Sequence, residues 1–114
     1  IIGICLGFQQ ILFSEGANIV EQSKIYHGFQ SNIIVNKSSK LFKAGHRFKV
    51  GRYHSLKLQE PFKIENFDIT MRCAISGAAM SFENNIDKIY GFQFHPESFL
   101  TINGKLLIKK ILSA

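Results

Sequence analysis

Two short stretches of this 114-residue chain carry residue types whose spacing suits nucleophilic chemistry: Gly3-Ile4-Cys5-Leu6-Gly7 at one end and Phe94-His95-Pro96-Glu97 near the other. Gly-x-Cys-x-Gly fits a nucleophile elbow, a sharp turn from strand to helix with the cysteine at its tip. So tight a turn asks that the neighbours two residues to either side, Gly3 and Gly7, lack side chains that would clash. It also sets the thiol at a helix N-terminus, which favours the reactive thiolate. Backbone N–H groups of the turn, that of Leu6 first, can receive the oxyanion of a tetrahedral intermediate. Such a cysteine needs a base, and His95 is the candidate. Glu97 lies two residues on, so an extended backbone points both side chains to one face, where the carboxylate can orient the imidazole. Pro96 removes a ladder donor and marks a strand's edge or end.

These residues require particular elements to hold them. Ile1 to Ile4 reads as a short, fully buried strand of a parallel sheet. A helix follows from Leu6 to Ser14, with Gly16 as its left-handed stop, and Asn18-Ile19-Val20 resumes an extended path. Beyond Ser23 the pattern turns to short extended segments at Ser31 to Asn36, Phe48 to Leu58, Phe67 to Ser76, Ala78 to Glu83 and Lys88 to His95, several of them expected to pair antiparallel. In the last, Tyr90, Phe92 and Phe94 alternate with Gly91, Gln93 and His95, which sends the aromatics to one face and His95 to the other. A closing helix spans Thr101 to Leu112, with Ile102, Leu106 and Ile111 in its apolar stripe and Lys105, Lys109 and Lys110 outside it.

Composition sets the outer bounds. An apolar share of 46% and a charged share of 19% are ordinary for one globular domain. No run approaches the ~18 apolar residues of a membrane span, and no secretory signal opens the chain. Cys5 and Cys73 show neither disulfide-framework nor metal-ligand spacing, which points to a reducing cytoplasm and to no metal or other cofactor. Cys73 reads as core packing, and His27, His46 and His54 as turn or surface residues without a neighbouring carboxylate. The net charge of +6 gathers at Lys37, Lys40, Lys43, Arg47, Lys49, Arg52 and Lys57. No nucleic-acid motif accompanies these cations, so they read as a solvated face and no nucleic-acid partner is expected.

With these residues in view, the chain resembles the class I, or triad-type, glutamine amidotransferases. "GICLGFQ" looks like their cysteine elbow, "GFQFHPES" like their histidine-glutamate segment, and "VGRYHSL" lies between them in the expected order. "GRYHSL" and "HPESFLTINGKLL" further resemble the branch that feeds ammonia to chorismate-using synthases, in anthranilate or aminodeoxychorismate synthesis. The resemblance implies an α/β fold, flavodoxin-like, with a mixed, mainly parallel sheet flanked by helices. It implies that Cys5 attacks the carboxamide of glutamine, that His95 moves the proton, that Glu97 orients His95, and that Gln9, Ser55 and Leu56 help bind the substrate. The partner implied is a chorismate-using synthase, as a subunit or fused domain; a non-catalytic subunit of such a synthase is the alternative. Residues 1–114 are expected to be the C-terminal portion of a single domain whose N-terminal portion, including a glycine-rich loop with the second oxyanion donor, is missing. Loss of one such donor costs ~10²–10³ in turnover, so the chain alone is expected to be weakly active or inactive.

Overall fold

A computed structural model describes residues 1–21, 29–52 and 56–95, together with Lys109 and Leu112. Strand β1 (Ile2–Ile4) runs directly into helix α1 (Leu6–Ser14), as the elbow requires. The helix ends at the expected place: Glu15 caps it and Gly16 follows at φ 96°, a conformation that costs glycine little. Its buried face is made by Phe8, Gln9 and Leu12, while Leu6 and Phe13 point outward.

Among the described residues seven further strands follow: β2 (Ile19–Glu21), β3 (Phe29–Val35), β4 (Arg47–Arg52), β5 (Leu56–Leu58), β6 (Asp68–Cys73), β7 (Ala79–Asn84) and β8 (Ile89–Phe92). Six strands form one sheet in the order β1-β8-β7-β6-β3-β4, and β2 pairs with β5 in a second, two-stranded sheet. The α/β class and the mixed sheet agree with expectation. The balance of directions within the described residues does not: β1 and β8 are parallel, whereas β7/β8, β6/β7, β3/β6 and β3/β4 are antiparallel. Parallel neighbours need a long crossover between them. The turns that link β6 to β7 and β7 to β8 are far too short for one, so these strands turn back on themselves. The extended stretch from Phe48 to Leu58 also divides, since β4 belongs to the large sheet and β5 to the small one.

Both faces of the large sheet are covered by apolar side chains. Tyr90, Phe92 and Phe94 join Ile33, Val35, Val50, Met71 and Cys73 in one cluster, which confirms the aromatic face read from the alternation and the core role of Cys73. Phe8 and Leu12 of α1 pack with Ala79 and Phe82 in the other. The rings of Phe8 and Phe82 lie 5.5 Å apart and seat α1 on the sheet. Among the cations, Lys37, Lys40, Lys43, Arg47 and Lys49 are exposed or half-buried, consistent with a solvated face. Lys109 and Leu112 are both helical and exposed; the other residues of the expected closing helix lie outside the described residues.

Candidate active site

The parallel pair β1/β8 builds the site. Ile4 stands opposite Phe92 in the register, and the next residue, Cys5, donates its backbone N–H to the Phe92 carbonyl at 2.7 Å. This bond ties the elbow to the end of β8. Cys5 has φ 52° and ψ −100°, a backbone conformation that residues with a Cβ rarely adopt and that functional sites retain. The thiol, half-buried, makes no capping bond to the helix it precedes. It therefore stands at the positive end of α1, whose first turn carries no acidic residue.

The two elbow glycines have different reasons to be there. A Cβ on Gly3 would lie 2.8 Å from the backbone carbonyl of Gly7 and 2.7 Å from the Ile11 side chain. Strand and helix thus meet at Gly3 with no room for a methyl group. A Cβ on Gly7 would meet nothing within 4 Å, so the steric requirement expected at both glycines holds at Gly3 alone. Leu6 opens α1 and is exposed. Its N–H belongs to the first turn, where amide groups have no partner within the helix.

Gln9, one turn along α1, is buried and donates from Nε2 to Gln93 Oε1 at 3.1 Å and to the Leu56 carbonyl at 3.5 Å. Gln93 in turn donates from Nε2 to Cys5 Sγ at 3.8 Å. The structure therefore brings Cys5, Gln9 and Leu56 to one place and adds Gln93, which reads from sequence only as a strand residue. The signal for it was available: a glutamine inside an apolar strand covered on both faces must find hydrogen-bond partners. His95 is half-buried, and its N–H donates to the Gly51 carbonyl at 3.3 Å, which joins the end of β8's extension to β4. Ser55 and Glu97 lie outside the described residues, as do His27 and His54. Among the described residues no three His, Cys, Asp or Glu side chains are grouped so as to hold a metal ion.

Comparison with known proteins decides the family, since the signature described as glutamine amidotransferase class-I matches residues 1–114. The chain belongs to the class I glutamine amidotransferases. Among its amidotransferase relatives, anthranilate synthase component 2 of Lactococcus lactis is 35% identical over 114 residues, covering 99% of this chain and 58% of that protein. The bifunctional protein TrpGD of Thermotoga maritima is 36% identical over 113 residues, covering 99% of this chain and 19% of that longer protein. A solved Thermoplasma acidophilum structure, named for a component of GMP synthase, shares the fold with a TM-score of 0.83 at 24% identity, covering 98% of this chain and 55% of that one. The chain thus spans a little over half the length of the component 2 relative it matches.

Proposed function

We propose that this chain forms the C-terminal portion of a glutaminase domain that hydrolyses glutamine to glutamate and ammonia and passes the ammonia to a chorismate-using synthase that makes anthranilate. The observation that carries the reading is the strained Cys5 at the head of α1, bonded through its N–H to the strand that leads to His95. In this reading the Cys5 thiolate attacks the side-chain carbonyl carbon of glutamine while His95 holds the thiol proton. The tetrahedral oxyanion is met by the Leu6 N–H. The carbon–nitrogen bond then breaks, His95 gives its proton to the departing ammonia, and a γ-glutamyl thioester remains. Water, deprotonated by His95, cleaves the thioester and restores the thiol. Glu97 orients His95, Gln9 helps bind the substrate, and the backbone of Ser55 and Leu56 holds its amino-acid end.

The names of the relatives support the synthase partner: one is a component of anthranilate synthase, and another is a bifunctional polypeptide in which the matching part is fused to more chain. No helix among the described residues is long and apolar enough to cross a membrane. We assign the domain to the cytoplasm because the spacing of Cys5 and Cys73 fits no disulfide framework.

The test is covalent labelling by a glutamine-analogue electrophile, read by intact mass on the complete polypeptide that carries this chain, with Cys5→Ser as control. One adduct on the parent protein and none on the variant is the expected result. An unlabelled parent protein would remove the enzymatic reading and leave a binding subunit in its place.

A further inference from the structure

The described residues hold one polar chain that runs through the interior to the nucleophile, and its direction can be read from chemistry. It begins at the backbone carbonyl of Leu56, which only accepts hydrogen bonds. The side-chain amide of Gln9 must therefore turn its NH₂ toward that carbonyl, at 3.5 Å. The same Nε2 lies 3.1 Å from Gln93, so Gln93 must present its oxygen to Gln9. Once the oxygen of Gln93 is committed, only its NH₂ is left for Cys5 Sγ, 3.8 Å away. Reversing both amides would set the Gln9 oxygen against the Leu56 oxygen, two acceptors facing one another, so the carbonyl of β5 fixes the polarity of the whole relay.

We propose that Gln93 is a positioning residue for Cys5, held by Gln9 so that its NH₂ donates to the sulfur and stabilises the thiolate. The inference rests on the reading of Cys5 as nucleophile. Gln93 is 0% exposed and its own N–H is bonded to the Met80 carbonyl at 2.9 Å, so its backbone is anchored and its side chain has one place to go. An N–H donor satisfies a sulfur anion better than a neutral thiol, because a hydrogen bond to a charged group is the stronger kind. Gln9 then has a second task. By using its NH₂ on Gln93 and Leu56, it is left to meet substrate as an acceptor, which suits an ammonium or amide N–H. Among the described residues, the titratable groups on the elements around Cys5 are His95 beyond β8, Tyr90 within it and Lys57 on β5; β1 and α1 have none. All of these persist in variants at position 93, so a change between those variants belongs to that position.

The experiment measures the rate of Cys5 alkylation by iodoacetamide against pH in the complete polypeptide, with each cysteine read separately by peptide mass. Gln93→Met keeps the length of the side chain and removes the donor. It is expected to move the midpoint up by about one pH unit, which below the midpoint is about a tenfold slower reaction. Gln93→Glu, which sets a carboxylate beside the sulfur, is expected to move it further. Cys73, buried in the core, reports folding in the same digest by staying unlabelled. Unchanged midpoints in both variants with Cys73 protected would overturn the proposal. Should both variants expose Cys73, the parent protein decides: the Gln93 side-chain NH₂ resonances must shift at the Cys5 midpoint and cease to do so in Cys5→Ser. Resonances that do not follow the cysteine overturn it as well. Because iodoacetamide needs no glutamine site, failure here is distinct from failure of the glutamine-analogue labelling above.

Discussion

At Cys5 the local backbone conformation and the chemistry pull in opposite directions. A Cβ at φ 52° and ψ −100° costs of the order of 1–3 kcal/mol, and the fold bears that cost because the Cys5 N–H is bound to Phe92 and α1 starts at the next residue. Cys5→Gly removes the Cβ and with it the strain, against a smaller loss from the added freedom of the unfolded chain. The complete polypeptide is therefore expected to gain about 1 kcal/mol with Cys5→Gly and little with Cys5→Ala, which keeps the Cβ. Denaturant melts of the three proteins make the comparison, and equal midpoints for glycine and alanine would show that the backbone is not strained. Cys73 offers the contrast, a buried strand cysteine without a positive φ. The sequence separates the two by their neighbours, since glycines stand two residues to either side of Cys5 and none stands so close to Cys73. It could not reveal that Gln93 reaches Cys5, because that contact joins residues 88 apart and depends on β1 lying beside β8 in one particular register.

The junction of β1 and α1 is where an element is set by a single missing side chain. Gly3→Ala would drive a methyl group into the carbonyl of Gly7, so helix and strand must separate, at about 1–3 kcal/mol by the usual cost of overpacking. Gly7→Ala meets open space and removes a flexible residue from the first turn of α1, which is expected to stabilise by up to about 1 kcal/mol. Thermal melts of the two variants should thus shift in opposite directions; a shared downward shift would mean that Gly7 is packed closely after all. The span of α1, its stop before Gly16 and the alternation of β8 were legible because each depends on residues close in sequence. The pairing of β3 with β6 and the passage from β4 in one sheet to β5 in the other were not, since both are settled by contacts between distant segments. Family resemblance suggested more parallel pairing than these strands show. The short turns at 74–78 and 85–88 already argued for antiparallel neighbours.

On the scale of the molecule, the site lies at one margin of the large sheet. β1 is the end strand in the order and is bonded among the described strands to β8 alone, so its other edge can pair with further chain. Ile1, just before β1, is 81% exposed, and on α1 Leu6 is 62% and Phe13 67% exposed. Exposed apolar side chains together with a strand at the end of the sheet favour association. The 114 residues alone are therefore expected to self-associate at micromolar concentration, a state that light scattering during size-exclusion chromatography would detect. A monodisperse monomer with a cooperative melt would count against this. A complementary trial distinguishes sticky surface from a surface built to be covered. The chain matches only 58% of the Lactococcus lactis relative, so the remainder of that protein can be supplied as a separate polypeptide. If the added polypeptide converts the aggregate to a one-to-one complex and raises glutamine-analogue labelling of Cys5, then the margin of β1 and the outer face of α1 are where the rest of a glutaminase domain sits. If association persists and labelling does not rise, that margin has another occupant, and the second oxyanion donor must be sought elsewhere.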